Sequence, residues 1–195
     1  MESIEWKVRG IALKLYTMDT VYEPAEDTRL LMESVEPGKS LLEIGCGSGA
    51  VSILSSALGS KVLATDINPE AVALTRRNAE LNSVPLETRV SDLFTDVHGK
   101  FDTIVFNPPY LPTEDDVEGS EQWNGGSDGF GLVRPFLERC QDYLLPGGDV
   151  YIILSSLTDI ESLINEFGNM RFEVRGSDKF QFEIIYCYRI TGKEK

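Results

Sequence analysis

From residue 40 onward, short apolar runs alternate with amphipathic stretches, and this alternation restricts the fold more than any other feature of the chain. SLLEIG (40–45), KVLATD (61–66), LETRVSD (86–92) and FDTIVFN (101–107) read as strands, and DVYIILSS reads as a fifth after the turn Pro146-Gly147-Gly148. Between them, GAVSILSSALG (49–59), PEAVALTRRNAELN (69–82), LVRPFLERCQDYL (132–144) and TDIESLINEFG (158–168) read as helices. Pro69 suits a first helical turn, and Gly59 suits a helix end. FEVRGSDKFQFEIIYCYRI closes the chain as a two-stranded hairpin. The spacing predicts an α/β protein: seven strands in a mostly parallel sheet, an antiparallel edge from the hairpin, and helices on both faces.

About 38 residues precede this core. VRGIALKLY reads as a short strand or hairpin, and PAEDTRLLMESV, apolar at Leu30, Leu31 and Val35, reads as a helix beginning near Pro24. A length of 195 residues favours one domain, with residues 39–195 as its core and 1–38 as an extension. The 42% apolar and 26% charged content is that of a soluble globular chain. No apolar run approaches the ~20 residues of a membrane helix, and MESIEWKVRG lacks the apolar stretch of a signal peptide, so a cytoplasmic protein is expected. Cys46, Cys140 and Cys187 are odd in number, far apart and without CxxC spacing; this predicts reduced thiols and no metal site. His98, in the polar turn DVHGK, reads as an exposed loop residue. The net charge of −14 counts against a phosphate-rich partner, and the adjacent pair Arg76-Arg77 reads as a solvated helix face.

Doubly wound sheets bind ligands outside the carboxyl ends of their strands, so the residues after each strand carry the functional information. The first strand runs into Glu43-Ile44-Gly45-Cys46-Gly47-Ser48-Gly49, whose three glycines permit a tight turn and close approach of a ligand. The second ends at Asp66, about 20 residues further on, where an acid accepts ribose hydroxyls or caps the helix after Pro69. The third ends in Ser91-Asp92-Leu93-Phe94, where Asp92 can take the amine of an adenine and Leu93 can cover its ring. Together these specify a nucleoside cofactor. Gly45, Gly47 and Ala50 also satisfy G-x-G-x-x-A, so a nicotinamide dinucleotide fits the fingerprint alone. Glu43 sits badly with a pyrophosphate, however, and suits a cation. S-adenosylmethionine carries a sulfonium and an ammonium and no phosphate.

The fourth strand ends in Asn107-Pro108-Pro109-Tyr110. Proline cannot continue a sheet ladder, so the strand stops there. A planar amide or aromatic amine is a poor nucleophile because its lone pair is delocalised. An Asn side-chain oxygen and a backbone carbonyl can each accept one of its N–H groups, holding the nitrogen and stabilising positive charge on it. The prolines stiffen the turn, and Tyr110 can stack on a flat target group.

The pattern E-x-G-x-G-x-G resembles the first motif of the Rossmann-like class I methyltransferases, and Asn-Pro-Pro-Tyr resembles the catalytic turn of the amino-methyltransferases. Tyr22-Glu23-Pro24-Ala25-Glu26-Asp27-Thr28 and Trp123-Asn124-Gly125-Gly126-Ser127-Asp128-Gly129 are similar to segments of the compact eukaryotic and archaeal branch of the HemK/PrmC-like glutamine-N5 methyltransferases. This resemblance implies S-adenosylmethionine held by Glu26, Thr28, Glu43, Gly45, Cys46, Gly47, Gly49, Asp66, Ile67, Asp92, Leu93 and Asn107, with the N-terminal segment over it. It implies catalysis by Asn107, Pro108, Pro109 and Tyr110. It implies, as substrate, the glutamine of the Gly-Gly-Gln loop in a class I release factor, and, as partner, a small zinc-binding activator subunit paired through a sheet edge. The acidic stretch PTEDDVEGSEQWNGGSDG, ending at Gly129, is then expected to face the protein substrate. An adenine-N6 nucleic-acid methyltransferase shares the catalytic turn and is the main alternative; a non-catalytic scaffold and a dehydrogenase fit less of the chain.

Overall fold

The computed structural model describes residues 3–109 and 128–192. Strands β1 (Ser3–Val8) and β2 (Ile11–Tyr16) pair as an antiparallel hairpin. Arg9 and Gly10 close it at φ of 52° and 82°, the left-handed pair that a tight hairpin turn demands. Helix α1 (Glu26–Ser34) leads into the core: β3 (Ser40–Ile44), α2 (Ala50–Ala57), β4 (Lys61–Asp66), α3 (Pro69–Leu81), β5 (Glu87–Val90), β6 (Phe101–Phe106), α4 (Val133–Cys140), β7 (Leu144–Ser155), α5 (Ile160–Glu166), β8 (Met170–Lys179) and β9 (Ile184–Gly192).

The main sheet has seven strands in the order β5-β4-β3-β6-β7-β9-β8. β5 to β7 pair in parallel, while β9 runs against β7 and β8 against β9. The result is the Rossmann-like, mostly parallel sheet with an antiparallel edge that the alternation predicts. The chain enters at β3, steps outward through β4 and β5, then returns to β6 on the other side of β3. This reversal opens a crevice at the carboxyl ends of β3 and β6, where such sheets hold ligands.

The two-residue period of the strands assigns side chains to opposite layers. Leu42, Ile44, Ile104, Phe106, Val150 and Ile152 meet α4 and α5 through Val133, Phe136, Leu137 and Leu163. Leu41, Val105, Tyr151 and Ile153 face the other way and meet Leu31 and Met32 of α1 and Val51, Ile53 and Leu54 of α2. The three cysteines are free and buried. Among the described residues, no helix is long and apolar enough to cross a membrane.

One element ends earlier than its sequence suggests. The pattern over 132–144 predicts one helix, but α4 stops at Cys140 and residues 141–143 form a single 3-10 turn. Leu144 already pairs with Phe101, and the ladder resumes at Thr103 opposite Asp149. Residues 145–148 are the slack between those pairings, with Gly147 at φ 80°. Pairing with β6 thus takes Leu144 out of the helix.

Candidate active site

A cavity of about 460 Å³ lies in the crevice. Residues that follow β3, β4, β5 and β6 wall it, together with residues from the segment 20–28. The glycine turn after β3 holds Gly45, Gly47 and Gly49 at φ of 66°, 53° and 82°. Gly49 has a second constraint. A Cβ there would stand 2.7 Å from Cγ2 of Thr75, a fully buried residue of α3. The Thr75 hydroxyl in turn donates to the Gly47 carbonyl at 3.0 Å, so the loop is pinned to α3 at that point.

Glu43 points from β3 toward α2 and is only 4% exposed. Its Oε2 accepts the Ser52 backbone N–H at 2.9 Å and the Ser52 hydroxyl. Burial pushes its pKa up to about 8; the Ser52 bonds oppose the shift and the charge of Asp66 adds to it. Asp66 accepts from the Gly47 N–H and the Asn68 N–H, each at 2.9 Å. Burial raises its pKa as well, against those two bonds. Four carboxyl groups, Asp27, Glu43, Asp66 and Asp92, line the cavity, and no Lys or Arg is among its described lining residues.

At the end of β6, Asn107 turns its amide toward α1. Its Nδ2 donates to Oδ2 of Asp27 at 3.0 Å. Its Oδ1 is buried and has no hydrogen-bond partner among the described residues. Asp27 is itself 4% exposed and accepts the Tyr22 hydroxyl at 3.1 and 3.0 Å. Pro108 and Pro109 continue the cavity wall beyond Asn107.

The structure gathers Thr28, Glu43, Gly45, Cys46, Gly47, Asp66, Ile67, Asp92, Leu93, Asn107, Pro108 and Pro109 around this one cavity. Gly49 sits behind the wall as the first residue of the α2 cap and acts through packing. Glu26 is exposed and lies outside the lining; its neighbour Asp27 takes the inward position instead. Tyr110 and residues 123–127 lie outside the described residues, as does most of the acidic stretch. Sequence reasoning did not single out Asp27, although helical periodicity marks it. Asp27, Leu31 and Val35 share the buried face of α1, whereas Glu26, Arg29 and Glu33 share the exposed one.

The N-terminal segment is held in place by two amides four residues apart, Asn78 in α3 and Asn82 at its C-cap. Asn78 accepts the Tyr16 N–H at 2.8 Å and donates to the carbonyls of Tyr16 and Ser48 at 3.1 and 2.9 Å. Asn82 pairs with both backbone groups of Lys14 in the same way. One side chain, Asn78, therefore ties together the N-terminal hairpin, α3 and the glycine turn.

The methyltransferase small domain family matches residues 21–183. A Methanocaldococcus jannaschii protein, named as a protein N5-glutamine methyltransferase without that assignment being settled, is 42% identical over 182 residues, covering 90% of this chain and 91% of the relative. The catalytic subunit of the Schizosaccharomyces pombe eRF1 methyltransferase is 32% identical, covering 91% of this chain and 93% of its own. Among solved structures, the E. cuniculi Mtq2–Trm112 complex, which methylates the eRF1 termination factor, superposes with a TM-score of 0.69 at 23% identity, covering 89% of this chain and 99% of that one.

Proposed function

Because this chain belongs to the methyltransferase small domain family and is a methyltransferase akin to the protein N5-glutamine enzymes, we propose that it uses S-adenosylmethionine to methylate the side-chain nitrogen of a glutamine in the Gly-Gly-Gln loop of a class I release factor. The chemistry of the cavity fits that cofactor. Its volume of about 460 Å³ suits a nucleoside-sized ligand. Its four carboxyl groups, with no described lining cation, favour a ligand that brings positive charge and N–H and O–H donors. A pyrophosphate would find no described lining cation to offset those acids. When bound, such a cofactor supplies a methyl group activated by a positively charged sulfur.

The chain's own residues then divide the work. Glu43 faces the cationic part of the ligand, and Asp66 and Asp92 take ribose hydroxyls and the adenine amine. Gly45, Cys46, Gly47 and Gly49 shape the turn that admits it, and Ile67 and Leu93 supply apolar cover. Thr28 and the rest of segment 20–28 close over it, so residues 1–38 serve as an extension to a catalytic core at 39–195. Asn107 and the backbone carbonyl of Pro108 accept the two N–H groups of the target amide. That arrangement aims the nitrogen lone pair and stabilises the charge that grows as the nitrogen–carbon bond forms. The nitrogen afterwards sheds one proton.

One observation carries the reading: the buried Oδ1 of Asn107, which has no hydrogen-bond partner among the described residues. An unsatisfied buried acceptor costs about 1–3 kcal/mol, and a donor brought by the substrate removes that cost. The acidic surface, at net −14, also suits a basic, ribosome-binding protein better than a nucleic acid. A small activator subunit fits the same reading, as in the E. cuniculi complex. Among the described residues β5 is an edge strand of the sheet, and its exposed Val90 adjoins the cavity residues Ser91 and Asp92.

The test is mass spectrometry of the matching release factor after incubation with this protein and isotope-labelled S-adenosylmethionine, with and without the candidate activator. One added methyl on the Gly-Gly-Gln glutamine, lost with Asn107→Ala, is the expected result. Label on DNA or RNA and none on the factor would transfer the reading to an adenine-N6 enzyme.

A further inference from the structure

Building on that reading, we propose that Asp27 is the positioning residue of the catalytic turn: it fixes the Asn107 amide with its nitrogen inward and its oxygen toward the substrate. The argument begins with what a carboxylate can do. Ionised, it only accepts, so any group against it must present a donor. Oδ2 of Asp27 stands 3.0 Å from Nδ2 of Asn107. The reversed amide would put oxygen against oxygen in a buried site. Asn107 therefore has one allowed orientation, which leaves Oδ1 without a partner among the described residues and available to a substrate N–H.

Asp27 is itself held rigidly. Its Oδ1 accepts the Thr28 backbone N–H at 2.5 Å and the Thr28 hydroxyl at 3.2 Å, and both oxygens accept from the Tyr22 hydroxyl. An acid in the first turn of a helix is often present only for its terminal N–H groups. Here the contact with Thr28 N–H already serves that need through Oδ1. The contact from Oδ2 to a residue 80 positions away in sequence is additional. It links the wall of the cofactor cavity to the substrate-binding amide, so the catalytic turn is oriented only when segment 20–28 is seated.

Asp27→Asn separates orientation from structure. The new side chain has the same shape. Its oxygen keeps the Thr28 N–H bond, which leaves its NH₂ facing Asn107. The Asn107 amide must then turn over, and a donor faces the substrate's donor. We expect kcat at saturating cofactor to fall about 10²-fold with Tm unchanged, and cofactor Kd by calorimetry to weaken by less than about tenfold, since Asp27 is one of four carboxyl groups that line the cavity. In single-turnover measurements the same substitution should add no further loss in an Asn107→Ala background, because the amide it orients is gone. Turnover of Asp27→Asn at the wild-type rate, with Asn107→Ala reduced to a residual single-turnover rate, would overturn the positioning role and leave the proposed function standing. So would losses that simply add in the double variant or that track a fall in Tm or cofactor affinity. Full activity of Asn107→Ala would remove the reading on which the role rests.

Discussion

Glu43 offers the sharpest quantitative test, because the fold holds its proton far outside the range of an ordinary glutamate. Its pKa rises from 4.5 to about 8, with burial as the main cause. Between those values the folded protein keeps a proton that the unfolded chain has released. With respect to this group, stability is therefore greatest below about pH 4.5, falls as pH rises, and levels off above pH 8. Each pH unit is worth 1.36 kcal/mol, so the full difference of 8 minus 4.5 corresponds to roughly 5 kcal/mol as an order of magnitude. Glu43→Gln removes the titration while its amide oxygen can still accept from Ser52. Urea unfolding of the two ligand-free proteins should give similar stabilities near pH 5 and a glutamine variant more stable by several kcal/mol near pH 8. A difference that stays constant across that range would refute the assignment of a buried, protonated Glu43. Binding gives a second reading of the same group. A cationic ligand pulls the pKa back down, so at about pH 7 the wild type should release close to one proton more on binding than the variant. Calorimetry in two buffers of different ionisation enthalpy measures that number directly.

Two further comparisons test how the site is built. Gly49→Ala combines a left-handed φ of 82° with a Cβ 2.7 Å from Thr75, whereas Gly59→Ala has φ 101° and nothing within 4 Å. Both carry the backbone cost, so the first should be less stable by a further 1–3 kcal/mol or so in urea titration; equal losses would mean that Thr75 moves aside freely. Asn78→Ala removes three hydrogen bonds to Tyr16 and Ser48 and should cost about 3 kcal/mol, with faster proteolysis of the β1–β2 hairpin. Wild-type resistance to protease would show that the hairpin is held by its apolar contacts alone.

The fold was legible because its signals are local. Strand and helix periods follow from side chains a few positions apart, and the glycine turn is read from residues 43–49 without reference to the rest of the chain. Contacts made only in three dimensions were not legible. The end of α4 depends on Leu144 pairing with Phe101, a residue 43 positions earlier, since 144 less 101 is 43. Asn78 and Asn82, in the stretch TRRNAELN, carry no local signal of a role. They are the clamp for β2, because the hairpin covers that side of α3. Asp27 was within reach: it lies four residues before Leu31 on the buried face of α1, where a charged residue needs a specific partner. Its partner could not be read, since nothing near Asn107 in sequence points to a residue 80 positions away.

These features share one cause. The cavity gathers acidic acceptors and no described cation: four carboxyl groups surround it, two of them with raised pKa, and the Asn107 oxygen has no partner among the described residues. Glu43, Asp66 and the Asn107 oxygen each cost the ligand-free protein stability, since buried carboxylates and unsatisfied buried acceptors are costly to hold. A fold under selection for stability alone would replace Glu43 with an apolar residue and give Asn107 a donor. The arrangement is favourable only when the missing donors and positive charge arrive from outside, so the same groups that weaken the empty site set what it admits. A nucleoside without phosphate, bearing positive charge, answers the carboxyl groups, and a planar amide with two N–H groups answers the catalytic turn. Binding should then raise the stability of the whole domain by more than an apolar cavity of equal size would allow, because it removes a standing electrostatic cost as well as burying surface.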